Sequence, residues 1–310
     1  NSYSMETKTQ LLIAGLLVAC FLGPDAKAQS VVAEGAKLEL LSRGFSFTEG
    51  PTSDSRGNVY FTDQNLDRIL KWSTDGILTV FMSPSGRANG MFMDAQDHLI
   101  ACADEKNELW RISLDGKKEV LMKGYDDKGK LFNGPNDVWV HPNGDYYFTD
   151  PLYRRPWWGD RSGKEMDGQH VYRLEAGKDK LPIRLTEDLK QPNGIIGTPD
   201  GKTLFVADIG AGLIYRYDIL SDGTLGDRQL FCKGQSDGMT LDDVGNLYIT
   251  NSRGVVVYDK TGEEKEVIKV PEAWTANVSF GGKNHDVLFV TASKGFYSIK
   301  MKHKGANATK

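Results

Sequence analysis

The chain has 310 residues, of which 39% are hydrophobic and 26% are charged, a composition that supports a sizeable buried core and excludes a disordered chain. Lys and Arg (38) nearly balance Asp and Glu (42), for a formal net charge of −4. With no basic surplus to bind a phosphate backbone, nucleic-acid binding is not expected. Three cysteines are too few for a disulfide framework. The 34 glycines and the 10% aromatic residues favour an all-β repeat protein.

The N-terminal segment has the features of an export signal. An uncharged apolar run covers residues 11–23, too short to span a bilayer, and Ala26-Lys27-Ala28 forms an A-x-A cleavage site. We predict that residues 1–28 are a signal peptide with a few upstream residues, and that the protein is exported to the periplasm or secreted. A lipoprotein anchored through Cys20 is the less favoured alternative, because Leu17 to Cys20 resembles a lipobox.

Beyond the signal, one unit recurs along residues 29–310. Each unit begins with a polar residue, passes through an Asp/Gly turn, and continues into an apolar β-branched strand that often ends in Asp or Asn. The leading residues are Glu49, Asn89, Asn136, Asn193, Asp237 and Asn277. A spacing of about 45 residues, with room for four strands per unit, is typical of propeller blades. We predict a single six-bladed β-propeller domain, its blades within about residues 37–300 and its tail frayed from Lys302.

Three further features accompany the repeat. The strand at 38–41 precedes the first blade and is predicted to pair into the last blade, which closes the ring and removes a free edge. An insertion at 153–160 carries two Trp and two Arg residues; it either roofs a ligand pocket or packs on the neighbouring blade. Cys102 and Cys232 lie in apolar stretches and are predicted to be buried free thiols.

The six leading residues are all carboxylates or carboxamides. Equivalent positions of propeller blades converge on one axis, so these side chains are expected to face a common point in the central tunnel. Oxygen donors with only two formal negative charges suit Ca²⁺ better than zinc, which prefers nitrogen and sulfur. The alternative is that Asn, Asp and Gly repeat here only because a turn repeats. The same structural alternative applies to the residues that close the next strand, Asp63, Asp150, Asp208 and Asn251.

Other chemistry has little support in the sequence. The five histidines show no metal-binding spacing. No G-x-S-x-G, P-loop or H-E-x-x-H motif occurs, so serine hydrolases, nucleotide hydrolases and zinc proteases are not indicated.

Five motifs, one per blade, resemble the gluconolactonase / senescence-marker-protein / luciferin-regenerating-enzyme family. They are Phe47-Thr48-Glu49-Gly50-Pro51, Gly134-Pro135-Asn136-Asp137-Val138, Tyr147-Phe148-Thr149-Asp150-Pro151, Gln191-Pro192-Asn193-Gly194-Ile195 and Ser236-Asp237-Gly238-Met239. The resemblance implies a six-bladed propeller with a divalent metal in the central tunnel. It places metal ligands at Glu49, Asn193 and Asp237, with Asn136 as a substrate-facing residue or fourth ligand. It also makes Asp237 the candidate general base.

One departure from the family pattern concerns the substrate. Sugar-lactone members commonly have arginine where this chain has Gly134, and Arg87, Arg154 or Arg155 are candidates to replace it. The sequence predicts a Ca²⁺-dependent hydrolase, another divalent cation being possible, that opens a small-molecule lactone. Asp237 and Asn136 are the candidate catalytic residues, and Asn89, Arg154 and Trp157 are candidate substrate contacts. A phosphotriester or ester hydrolase of the diisopropylfluorophosphatase type and a non-catalytic binding propeller with a structural metal are the alternatives; partner proteins are not indicated.

Overall fold

The computed structural model describes residues 30–161, 163–177 and 180–307. The predicted export signal and Cys20 lie outside the described residues. In the described part of the chain the strands form six four-stranded antiparallel sheets, which confirms the all-β six-bladed propeller. No helix in these ranges is long and apolar enough to cross a membrane.

Each blade is built from consecutive strands, innermost first, and the last blade takes its outermost strand from the N-terminal side. Blade one contains β2 (Thr48–Ser53), β3 (Val59–Asp63), β4 (Arg68–Trp72) and β5 (Leu78–Met82). Blade two contains β6 (Ala88–Met93), β7 (Leu99–Ala103), β8 (Glu108–Ile112) and β9 (Lys118–Lys123). Blade three contains β10 (Val138–Val140), β11 (Tyr146–Asp150), β12 (His170–Leu174) and β13 (Ile183–Arg184).

The second half repeats this order. Blade four contains β14 (Pro192–Gly197), β15 (Thr203–Asp208), β16 (Leu213–Asp218) and β17 (Gln229–Lys233). Blade five contains β18 (Met239–Leu241), β19 (Leu247–Asn251), β20 (Gly254–Tyr258) and β21 (Glu264–Ile268). Blade six contains β22 (Asn277–Gly281), β23 (Val287–Ala292), β24 (Gly295–Lys300) and β1 (Glu39–Arg43). In the ranges that the structure describes, two short 3₁₀ helices occupy Gln64–Leu66 and Pro156–Trp158.

The ring closes as predicted from the sequence. Strand β1 pairs antiparallel with β24, which joins the two ends of the chain in one sheet. The closure extends beyond the strands, because Val32 pairs with Met301 and the Lys302 amide donates to the Val31 carbonyl. The prediction of a frayed tail from Lys302 is wrong: the Ala306 amide donates to the Leu241 carbonyl of blade five, which holds the segment against the fold.

The core lies between neighbouring blades. The second strand of every blade is buried along nearly its whole length. Each of these strands packs on both faces, which explains why their sequences are mostly apolar runs. Cys102 and Cys232 are buried and free, as predicted. The innermost strands are thereby fixed with their first residues around the central tunnel.

Candidate functional site

The structure brings the six leading residues together at one end of the tunnel. The residue that follows most of them is glycine, and a Cβ there would clash with the next ring position. A Cβ on Gly50 would lie 2.1 Å from Asn89 O, and one on Gly90 would lie 2.6 Å from Asn136 O. A Cβ on Gly194 would lie 2.5 Å from Asp237 O, and one on Gly238 would lie 2.0 Å from the Asn277 side chain. These glycines therefore allow adjacent innermost strands to approach each other closely, and the leading residues form a continuous ring.

Local backbone irregularity accompanies the ring. In blades one, two and four the register of the innermost strand shifts at the ring position, between Glu49 and Thr52, Ala88 and Met91, and Pro192 and Ile195. A bulge bends the strand locally and re-aims its side chains. The shifts account for how a residue of a regular strand can present its side chain along the tunnel.

Glu49 is buried, with 4% of its surface exposed, and one of its carboxylate oxygens accepts two hydrogen bonds. The Gly50 amide donates to Oε2 over 3.0 Å and the Asn277 amide over 3.3 Å. Burial and then the charge of Asp237 raise the pKa of Glu49 well above its ordinary value. Asn277 also accepts from the Val278 amide, so both ends of its side chain are used and it positions Glu49.

Asp237 lies next to Glu49 and is held by Trp274, a residue that no sequence motif indicated. The indole N–H of Trp274 donates to Asp237 Oδ2 over 2.5 Å. Burial raises the pKa of Asp237 to about 6, opposed by Trp274, Asn193 and the positive charge of Arg155. The residue is half-buried.

The side chain of Asn193 is oriented by the insertion that follows β11. Its Nδ2 donates to the Tyr153 hydroxyl over 2.9 Å. Because the nitrogen is directed to Tyr153, the carbonyl oxygen Oδ1 is the atom left for another ligand. Asn89 and Asn136 are likewise buried, and their side chains make no hydrogen bond within the described part of the chain.

A third acidic group lies directly behind the ring. Asp137 accepts hydrogen bonds from the Val138 amide over 3.0 Å and from the Ile195 amide of blade four over 3.2 Å. Burial raises its pKa to about 7, against these two amides, and Asp237 raises it further. Asp137 thus links two blades at the ring. The only sign of this role in the sequence is that Asn136 is followed by Asp, whereas Asn89 and Asn193 are followed by Gly.

The donor set can be tested against a cation. Oxygens that make no hydrogen bond within the described ranges are Glu49 Oε1, Asp237 Oδ1, Asn193 Oδ1 and the side-chain oxygens of Asn89 and Asn136. No group of three or more His, Cys, Asp or Glu side chains in these ranges is arranged to hold a metal, since the ring contributes two carboxylates and otherwise amides. Two adjacent carboxylates, the buried Glu49 and the half-buried Asp237, surrounded by amide oxygens fit a hard divalent cation.

The aspartates that end the second strands have a different role. Asp63 accepts from the Ser46 and Phe47 amides, Asp150 from Asn133 and Gly134, and Asp208 from Lys190 and Gln191. Each carboxylate fixes the loop that leads into its own blade. The structural alternative therefore accounts for these residues.

Blade two breaks this pattern. Its equivalent position is Ala103, which pairs with Ala88 just as Asp63 pairs with Thr48, and Asp67 holds the preceding loop through the Ser85 and Arg87 amides. Asp104, one residue further on, accepts from Arg155 Nε over 2.7 Å and from Gln64 over 3.3 Å. Asp104 lies outside the repeated position and binds the insertion. Burial raises its pKa to about 6, opposed by Arg155.

The two tryptophans of the insertion differ. Trp158 packs on blade two, where its indole N–H donates to the Asp104 carbonyl over 3.0 Å, as expected from the packing alternative. Trp157 is half-buried beneath the guanidinium of Arg87, 5.0 Å from the ring centroid. Arg154 is exposed, and the structure does not bring it to the ring.

A cavity of about 420 Å³ occupies the opposite end of the tunnel. Pro51, Asp137, Met239 and Asn277 are among its lining residues, together with turns of the other face. The ring thus separates this chamber from the end covered by the insertion. The sequence carried no signal for the chamber because its walls are the second halves of the innermost strands.

The fold and the ring define the class of protein: a six-bladed propeller with an oxygen-donor site in its central tunnel. Residues 47–294 match the SMP-30/gluconolactonase/LRE-like region, and the chain belongs to that family. The predicted resemblance is therefore confirmed.

The individual relatives include several lactone hydrolases. A gluconolactonase of Zymomonas mobilis is 27% identical over 297 residues, covering 86% of this chain and 82% of that protein. The structure of a gluconolactonase of Xanthomonas campestris superposes with a TM-score of 0.79 at 29% identity, covering 87% of this chain and 91% of that one.

A more distant structure shares the fold. The calcium-binding protein regucalcin of Agrobacterium tumefaciens matches with a TM-score of 0.71 at 19% identity, covering 86% of this chain and 94% of that one. The first two relatives support a hydrolase of the lactonase type acting on a small molecule.

Proposed function

We propose that this protein is a divalent-cation-dependent lactonase whose active site is the ring. The proposed ligands are Glu49, Asn136, Asn193 and Asp237, and the proposed cation is Ca²⁺, which accepts carboxylate and carbonyl oxygens in a flexible geometry. The observation that carries the proposal is the set of side-chain oxygens in the ring that accept no hydrogen bond, around the adjacent carboxylates of Glu49 and Asp237. The gluconolactonase relatives support the reaction.

The residues of the chain have distinct proposed roles. A bound cation would supply Lewis-acid polarisation of the lactone carbonyl and electrostatic stabilisation of the developing oxyanion. The carboxylate of Asp237, whose Oδ2 is held by the Trp274 indole, is the proposed acceptor of the proton from the attacking water. Asn136 orients the lactone ring, and Asn277 holds Glu49 in place.

The first experiment is a lactone panel assayed with and without chelator. Hydrolysis of at least one sugar lactone that is lost on chelation and restored by Ca²⁺ supports the proposal. Chelator-sensitive hydrolysis of phosphotriesters alone would replace it with the diisopropylfluorophosphatase-type activity. Calcium binding without hydrolysis of any panel member would leave a binding propeller.

A pair of variants separates the proton acceptor from a ligand. At saturating Ca²⁺, Asp237→Asn keeps an oxygen donor but removes the base, so kcat should fall about 10²- to 10⁴-fold. Asn193→Ala should weaken calcium binding and recover activity when calcium is in excess. Asp127→Asn removes the same charge from an exposed surface residue and should change neither quantity. Near-wild-type turnover of Asp237→Asn at saturating metal would place the base elsewhere.

Export is proposed on the sequence alone. If residues 1–28 are a cleaved signal, N-terminal sequencing of the protein from its native host should begin at about residue 29. A lipid-modified Cys20 at the N-terminus would instead identify the lipoprotein alternative.

A further inference from the structure

The insertion after β11 reaches the ring from one side. Tyr153 accepts from the Asn193 amide over 2.9 Å, and the Arg155 guanidinium lies 5.3 Å from the Tyr153 ring centroid. The loop therefore lies over the proposed ligands, where the part of a substrate that extends beyond the reacting carbonyl would meet it.

Two guanidinium groups flank one tryptophan in this loop. Arg87 lies 5.0 Å and Arg155 5.6 Å from the Trp157 ring centroid. Arg155 is paired with Asp104, whereas Arg87 has no ion-pair partner within the described part of the chain and donates to the Asn65 carbonyl. Two positive charges against one negative charge leave this cluster of Arg87, Arg155 and Trp157 net positive.

The cluster also contains donors without acceptors. In the described ranges, Arg87 Nε and the indole N–H of Trp157 are buried and have no hydrogen-bond partner. A buried donor left unpaired is unfavourable, and a ligand that supplies an acceptor removes the penalty. Both orphaned groups of the cluster itself are donors, whereas the neighbouring Asp104 Oδ1, also buried without a partner, is an acceptor whose charge is paired with Arg155. The missing partner of the two donors is therefore a group with oxygen acceptors.

We propose that Arg87, Arg155 and Trp157 form an anion-binding subsite, so that the favoured substrate is a lactone carrying a carboxylate or a similar acidic group away from the ring ester. This inference rests on the proposed lactonase activity and specifies its substrate class. Asp104 is a positioning residue in this arrangement, because it fixes Arg155 over the loop. The lactone ring reacts at the oxygen-donor ring while its acidic group binds the cluster.

The test compares D-gluconolactone with D-glucarolactone of the same ring size, which differ only in a terminal hydroxymethyl or carboxylate group. The wild-type protein should have the lower KM for the acidic lactone, and this preference should shrink as salt screens it. Arg87→Gln should raise KM for the acidic lactone about 10- to 100-fold while leaving KM for the neutral lactone and kcat nearly unchanged. Arg154→Gln removes a neighbouring exposed arginine and should affect neither lactone.

Two further measurements keep the outcome decisive. If Arg87→Gln does not fold, Trp157→Phe serves in its place. It keeps an aromatic ring but removes the unpaired N–H, so it should weaken binding of the acidic lactone and leave binding of the neutral lactone unchanged. Calorimetric binding of D-glucarate, compared with D-gluconate, should show the same selectivity without turnover. Equal effects of Arg87→Gln on both lactones, or no preference in the wild type, would overturn the subsite. Absence of hydrolysis with selective D-glucarate binding would overturn the lactonase proposal and leave the subsite standing.

Discussion

Replacement of Thr149 by valine tests how the ring is held to the blades. Thr149 lies in β11 with none of its surface exposed, and its hydroxyl donates to the Asn193 carbonyl of blade four over 2.7 Å. The same oxygen accepts from the Asp137 amide over 3.2 Å. Valine has nearly the same shape but can make neither bond. Because each buried polar group that loses its partner costs about 1–3 kcal/mol, the expected loss is about 2–6 kcal/mol of unfolding free energy.

Urea unfolding followed by tryptophan fluorescence measures this loss. Thr149→Ser is the matched control: it keeps the hydroxyl and removes one methyl group, for about 1 kcal/mol. An unchanged dependence of the free energy on urea would show that the same surface is exposed in all three proteins. If the valine variant were as stable as the serine variant, the hydroxyl would not link the blades. The related hydroxyls of Thr62 and Thr250 also donate to the neighbouring blade and should respond alike.

Two further changes probe the ring itself. In Gly238→Ala the new Cβ would lie 2.0 Å from the Asn277 side chain and displace the amide that holds Glu49. Calcium affinity, measured by calorimetric titration, should therefore fall about tenfold. Gly226→Ala is the control, because its nearest neighbour lies at 3.5 Å, and it should leave calcium affinity unchanged. Equal affinity of both variants would remove Asn277 from the site. In the presence of chelator, Glu49→Gln should raise Tm by about 2–4 °C. The pKa of Glu49 is raised in the folded protein, so ionisation of Glu49 destabilises the folded state once the pH exceeds the unfolded-state pKa. The variant should also lose the increase in Tm that calcium gives the wild type, and a lower Tm of the variant in chelator would contradict the destabilising role of the Glu49 charge.

The ring positions could be predicted from the sequence because residues at equivalent positions of the repeat lie around the same central axis in a propeller. A residue that begins the innermost strand of one blade is placed beside the equivalent residue of the next. The glycine after Glu49, Asn89, Asn193 and Asp237 belongs to the same signal, since only a residue without a side chain allows the neighbouring strands to approach. The pairing of β1 with β24 followed from the same repeat.

The contacts that orient the ring residues could not be predicted in this way. Trp274 and Tyr153 come from loops that do not repeat, and each reaches a ring residue about 40 positions away. The sequence placed Trp157 and Trp158 in one insertion but contained nothing that distinguished them. Their different surroundings depend on Asp104, which lies one residue beyond the repeated aspartate position and contacts the insertion through its side chain and its backbone carbonyl.

Gly134 shows how the departure from the family pattern and the insertion depend on each other. Its φ of +153° is unfavourable for a side chain, and a Cβ there would lie 2.8 Å from Asp104 Oδ1 and 2.9 Å from the Trp158 ring. Trp158 can pack on blade two only because position 134 has no side chain. That packing anchors the loop in which Arg155 meets Asp104. An arginine at position 134 would therefore displace the loop that carries Arg155, so the chain accommodates a positive charge from one source or the other, and here it comes from the insertion.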